Sequence, residues 1–239
     1  MKTGWQKLQV AWWLVTGLLF TLAVSVVIFY TPTEETMGVI QKIFYLHLPV
    51  AISTFLACTV TFIASIGYLM QRKSRWDDLA SAAARVAVQL CSIVLITGMI
   101  WGKSAWGRWW TWSPRLTFSL ALWLLYITYM MIRASISSSQ RRAVVGAVYA
   151  IIAFLDVPLV YLSARMMVDI HPASVELAPA MKLTLALWFV PVLMAAAGLI
   201  ATKFYLNVSA RRMRELAAEI DRDREEDRGA KGFRLAEVL

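Results

Sequence analysis

The chain has 239 residues, of which 59% are hydrophobic and only 16% charged, with a mean hydropathy of +0.61. A water-soluble fold of this length has too little interior to bury so much apolar surface, so the composition indicates an integral membrane protein. The formal charge of +9 does not point to nucleic acid, because the basic residues flank apolar runs and therefore report topology.

Crossing the hydrocarbon core takes roughly 20 apolar residues in a helix. Six stretches qualify, near 9–30, 45–71, 79–100, 117–133, 143–164 and 180–205, which predicts an all-α integral membrane protein with six transmembrane helices. The first run is too long for a signal-peptide core and no small-residue cleavage site follows it, so it reads as a span. An even number of spans puts both termini on one side. Lys2, Lys7, Arg72, Lys73, Arg75, Arg133, Arg141, Arg142 and the basic tail share that side, whereas the opposite segments hold only Lys42, Lys103, Arg108, Arg115, Arg165 and Lys182. By the positive-inside rule both termini are expected in the cytoplasm. Segments 31–44, 101–117 and 165–179 then meet at the outer face.

Between the third and fourth spans lies Trp-Gly-Lys-Ser-Ala-Trp-Gly-Arg-Trp-Trp-Thr-Trp-Ser-Pro-Arg-Leu-Thr, residues 101–117, which carries five of the eleven tryptophans. Trp101, Trp106, Trp109, Trp110 and Trp112 beside Lys103, Arg108 and Arg115 form an apolar shelf with a cationic rim, suited to a flat, greasy, anionic molecule. An aromatic belt at headgroup depth accounts for one or two such residues at a helix end. Density alone leaves both readings open.

The fifth span contains Asp156, roughly 12 Å from its outer end at 1.5 Å per residue. An intramembrane carboxylate is a functional candidate by default. Here Pro158 frees a backbone carbonyl nearby, and a neutral or hydrogen-bonded Asp156 tying that kink to a neighbour is the simpler reading. Arg85 can snorkel to the cytoplasmic headgroups. Residues 1–205 form the membrane domain. The charged segment 206–239 has Met213, Leu216, Ala217 and Ile220 at helical spacing, which predicts a short amphipathic helix in the cytoplasm. Cys58 and Cys91 sit in apolar runs as small hydrophobes, and without Cys-x-x-Cys-His the chain carries no covalent c-type haem.

The two histidines, His47 and His171, are both expected at the outer face, one in the segment before the tryptophans and one after. A lone histidine at a membrane edge is ordinarily a hydrogen-bonded interfacial residue; two that bracket an aromatic platform favour ligation. Without cysteines or a carboxylate cluster beside them they are too few for structural zinc. They suffice for the two axial positions of a haem iron, whose porphyrin supplies the other four donors. Tryptophans would cover the macrocycle, and Arg108 and Arg115 would pair with its propionates.

These residues carry a resemblance. Pro32, Glu34-Glu35-Thr36-Met37-Gly38 and Gln41-Lys42-Ile43-Phe44-Tyr45-Leu46-His47-Leu48-Pro49 resemble one histidine segment of the haem exporter protein C family, the C subunit of the bacterial cytochrome c maturation system. Trp106-Gly107-Arg108-Trp109-Trp110-Thr111-Trp112 with Pro114-Arg115-Leu116-Thr117 resembles its tryptophan-rich signature loop. Val157-Pro158-Leu159-Val160-Tyr161-Leu162-Ser163 with His171-Pro172 resembles its second histidine segment.

The resemblance implies haem b held at the outer face of the bacterial inner membrane, with His47 and His171 as axial ligands. It implies delivery to a membrane-tethered periplasmic haem chaperone. It also implies partnership with an ATP-binding cassette, other membrane subunits of the maturation complex and a small single-span subunit. The chain has no phosphate-binding Gly-x-x-x-x-Gly-Lys-[Ser/Thr] loop, so ATP hydrolysis would belong to a partner. The expected role is a haem-presenting scaffold rather than an enzyme. Two positions depart from the family pattern. Ser113 replaces the Asp that ends the loop, and Met166 and Met167 replace a pair of aromatics. The competing readings are a membrane b-type cytochrome subunit of a quinone oxidoreductase, which would ligate haem within its spans, and a permease moving haem across the bilayer, which would need polar groups along a central path.

Overall fold

In hydrocarbon a backbone N–H or C=O has no water to bond, so each apolar run must satisfy its own peptide groups as a helix. The computed structural model describes the backbone of residues 2–166 and 176–236, and the side chains of residues 4–163 and 176–225. Its helices are α1 (Lys2–Phe29), α2 (Phe44–Gln71), α3 (Ser74–Trp106), α4 (Pro114–Ser135), α5 (Ser139–Ala153), α6 (Asp156–Met166) and α7 (Pro179–Ala236), with a tight helical turn at Val39–Ile43 before α2. Six segments are long and apolar enough to span a membrane, α5 and α6 together making the fifth.

The break in the fifth span is where Pro158 predicts it. With no N–H at 158, the Phe154 carbonyl instead accepts from the Val157 N–H at 3.0 Å, tightening the backbone between α5 and α6. Asp156 opens α6 and is buried, and its Oδ2 has no hydrogen-bond partner among the described residues. The expected tie from this oxygen to a neighbour is therefore not seen. Its position at the start of α6 instead puts the carboxylate at the positive end of that helix dipole.

The bundle is built on α2 and α3, which share the broadest interface, with α7, α5 and α4 packed around them and α1 against α7. The core is lined by small residues, among them Ala57, Cys58, Ala84, Ala87, Ala150 and Ala153, with Tyr126 and Tyr129 filling the space between. Small side chains let helix backbones approach closely, which drives packing where lipid removes the hydrophobic incentive. Polar atoms stitch the helices together. Trp123 Nε1 donates to Ser92 Oγ at 2.9 Å, Trp12 Nε1 to the Met194 carbonyl at 3.1 Å, and Trp188 Nε1 to the Ala23 carbonyl at 3.2 Å.

One end of the bundle is basic and pinned by ion pairs. Arg133, in the last turn of α4, makes a bidentate contact with Asp77, in the first turn of α3, at 2.5 and 2.9 Å. Each charge also complements the dipole of its own helix. Arg211 of α7 reaches Asp78 at 3.0 Å. Gly146 of α5 makes room for Arg133, since a Cβ there would sit 2.7 Å from its Nη1. Held by Asp77, that guanidinium has nowhere to swing. Gly146→Ala is therefore expected to cost about 1–3 kcal/mol as an overpacked contact. The check is thermal unfolding in detergent, with Gly4→Ala as the comparison because nothing lies within 4 Å of its added methyl.

Candidate functional site

The other end of the bundle carries His47. It lies in the first turn of α2, and Phe44, His47, Leu48, Ala51 and Phe55 of that helix line a cavity of about 390 Å³. Val94, Leu95, Gly98 and Trp101 of α3 form the facing wall, with Arg115 and Leu116 of α4, Tyr161 of α6 and Leu185 of α7 closing it. The lining is predominantly apolar, with few polar groups, the pattern of small-molecule and cofactor sites of about 300–1,000 Å³.

Thr97 orients the histidine. His47 Nδ1 lies 2.8 Å from Thr97 Oγ1, and the Thr97 hydroxyl lies 2.7 Å from the Ile93 carbonyl one turn back. A carbonyl can only accept, so the hydroxyl proton goes there and Oγ1 accepts from His47 Nδ1–H. That tautomer leaves the ring lone pair on Nε2, the arrangement in which an outer partner fixes a metal-binding imidazole. The Trp101 indole meets the His47 ring edge to face at 6.1 Å, and Phe44 packs on the same indole at 6.1 Å. Gly98 keeps the space beside the ring open: its added Cβ would stand 3.5 Å from His47 Cε1. Thr97→Val removes the acceptor while keeping the shape. It is expected to weaken ligand binding at His47 about 10–100-fold, the usual cost of an outer partner, measured by haem titration of the purified protein.

The tryptophan-rich segment divides into two parts. α3 runs on to Trp106, so Trp101 and Trp106 are helical rather than in the loop expected from residue 101. The helix ends at Gly107, which takes φ +73° and donates its N–H to the Lys103 carbonyl at 3.1 Å, a glycine C-cap. Gly102 lets the Trp106 ring and the Arg108 carbonyl approach to 3.3 Å of where a Cβ would be. Residues 107–113 then cross to α4, whose start is fixed by Pro114 at its first position and by Ser113, whose carbonyl accepts from Thr117 N and Oγ1, both at 2.9 Å.

Of the nine residues singled out in the sequence, His47, Trp101 and Arg115 line the cavity together. Trp106 packs behind them on Gly102. Trp109 and Trp112 face outward, 59% and 75% exposed, and Arg108 is exposed as well. Trp110 stands edge to face with Trp112 at 5.7 Å. His171 lies outside the described residues, as do the side chains of Met166 and Met167. In this same stretch Trp110 Nε1, Thr111 Oγ1 and Ser113 Oγ are buried with no hydrogen-bond partner among the described residues. Ser113 thus keeps the hydrogen-bonding capacity expected of it without using it as a helix cap.

Thr97 was not singled out in the sequence, and Tyr161 stood there only as part of the second histidine segment. A signal for the cavity wall was present: 44, 47, 48, 51 and 55 fall on one helical face, as do 94, 98 and 101. In runs that are apolar all round, that face does not stand out.

Comparison with known proteins now decides the family. The family model described as Heme exporter protein C matches residues 3–227. The chain belongs to the Heme exporter protein C family. Relatives carrying that name include one from Rhodobacter capsulatus, 34% identical over 149 residues, covering 59% of this chain and 62% of the relative. Another, from Paracoccus denitrificans, is 34% identical over 145 residues, covering 58% and 57%. The Escherichia coli K12 protein is 29% identical over 150 residues, covering 62% and 60%. The chain thus aligns with about three fifths of the length of these Heme exporter protein C relatives.

Proposed function

We propose that this chain binds haem at the outer face of the bacterial inner membrane and presents it to a membrane-tethered chaperone for cytochrome c maturation. The observation that carries this reading is the apolar cavity of about 390 Å³ that joins His47, Trp101 and Arg115 at one end of the bundle. In this role haem is cargo. His47 would ligate the iron through Nε2, with His171 as the second axial ligand. Trp101 and Phe44 would pack on the macrocycle, and Arg115, near the positive N-terminus of α4, would take a propionate. Trp109, Trp110, Trp112 and Arg108, outside the cavity, would then cover the exposed porphyrin edge and meet the chaperone.

The distribution of basic residues supports an outer-face location, because the ion-paired basic end lies opposite His47. Presentation is also supported over translocation through the chain: the cavity shares no lining residue with the polar cleft at the basic end. Acceleration of any covalent hand-off would come from holding haem and chaperone in a reactive geometry, which makes the chain a scaffold rather than an enzyme. The ATP-binding cassette, the further membrane subunits and the small single-span subunit of the maturation complex belong to the same proposal.

The test separates binding from hand-off. Protein purified from haem-replete cells should carry a low-spin haem spectrum, and the Trp109→Ala/Trp112→Ala variant should keep it. Transfer from that variant to the tethered chaperone should fall about tenfold, the effect of losing about 1.4 kcal/mol of docking energy. A wild-type protein that takes up no haem would sink the reading. Unchanged transfer would remove the outward tryptophans from the hand-off.

A further inference from the structure

The basic end of the bundle holds a second cavity, larger and polar, that the haem reading does not use. It encloses about 1260 Å³ between α2, α3, α4, α5 and α7. Six arginines line it, against three carboxylates: Asp77, Asp78 and Glu215. All three carboxylates are engaged, Asp77 by Arg133 and both Asp78 and Glu215 by Arg211. Arg72, Arg85 and Arg214 line the same space, and no ion pair engages them among the described residues. The acidic residues therefore neutralise the arginines that hold the helices together and leave the others facing the cleft.

The backbone adds to this charge. α3 begins at Ser74 and α5 at Ser139, and both residues line the cleft, so two helix N-termini point their positive ends into it. Arg85 is expected from the sequence to snorkel to the headgroups. It is exposed on an otherwise buried stretch of α3 and lines the cleft three turns inside the helix, about 16 Å from Ser74. A cation at that depth, without a carboxylate partner, needs either water or an anion.

We propose that this cleft is a binding site for a phosphate-bearing anion at the membrane surface, the source being the headgroup of an anionic phospholipid or a soluble phosphate. Arginine forks match phosphate oxygens in a bidentate manner, and basic pockets between transmembrane helices on the cytoplasmic side are suited to anionic headgroups. Tyr68, Met130 and Ala143 give the cleft an apolar wall beside its charged one, which accommodates the glycerol end of a lipid. The site is independent of haem binding at the far end.

The full chain, purified in a neutral detergent and stripped of lipid, would be melted with phosphatidylglycerol, with phosphatidylcholine or with inorganic phosphate, following tryptophan fluorescence. Phosphatidylglycerol is expected to raise the midpoint by about 5 °C and phosphatidylcholine by less than about 1 °C. Arg85→Gln/Arg214→Gln should lose that difference, and native mass spectrometry should show one retained anionic lipid in the wild type only. If inorganic phosphate alone gives the full shift, the anion site stands and its ligand is the soluble one. Should the double variant fold poorly, Arg72→Gln, at an exposed position, takes its place. Equal shifts with both lipids and none with phosphate, or a full shift retained in a variant whose own midpoint is unchanged, would overturn the proposal.

Discussion

His47→Ala is expected to abolish the low-spin haem spectrum of the purified protein and to weaken haem binding by more than about 100-fold. The bound comes from comparison: losing only an outer partner of a metal ligand costs about 10–100-fold, and losing the ligand itself costs more. The cavity wall around His47 is built from Phe44, Leu48, Ala51, Val94 and Trp101. None of these depends on the imidazole for its place in a helix, so the variant should keep its fold. Truncation leaves a void shaped for a five-membered ring, so added imidazole should restore a low-spin spectrum in this variant. His171→Ala should also disturb the low-spin state, leaving a five-coordinate or water-ligated iron. If His47→Ala retains the wild-type spectrum and affinity, His47 is not a ligand, and Thr97 would be holding an interfacial histidine.

A comparably large effect is expected at the opposite end of the molecule, on stability rather than binding. Asp77→Ala leaves Arg133 with its side chain only 12% exposed and its bidentate partner gone. Removing one member of a buried ion pair typically costs about 3–5 kcal/mol, because the remaining charge stays desolvated. Tyr129, whose ring lies 5.5 Å from the Arg133 guanidinium, offsets only part of this through a cation–π contact. Replacing both partners, as Asp77→Ala/Arg133→Met, should recover part of the loss, since an apolar pair carries no charge to desolvate. The measurement is denaturation in micelles across the double-mutant cycle. A cost below about 1 kcal/mol for Asp77→Ala would place the pair in the class of exposed salt bridges.

What the sequence by itself determined is what hydrophobicity and charge can express locally. Transfer of apolar residues to lipid is nearly additive along a helix, so six spans are legible from runs of composition alone. Helix punctuation is local as well: Pro158 breaks the fifth span because its missing N–H concerns only its own turn. Gly107 ends α3 at Trp106 through its own left-handed φ, six residues beyond the apolar run that ends near residue 100. Lys103 and Ser104 lower the hydropathy after residue 100 without breaking a helix, so the apolar run ends before the helix does.

The tertiary structure decided what depends on pairs far apart in the chain. His47 meets Thr97 across 50 residues, and Arg133 meets Asp77 across 56, and neither partner is marked in a one-dimensional pattern. It also sorted the tryptophans. Trp101 faces the cavity and Trp112 faces outward, because the first is still on α3 when its turn points at α2 and the second lies past Gly107. Aromatic density in the sequence is blind to that direction. Only the packing of α2 against α3, set by alanines and glycines that admit close approach, fixes which indole becomes a wall and which a surface.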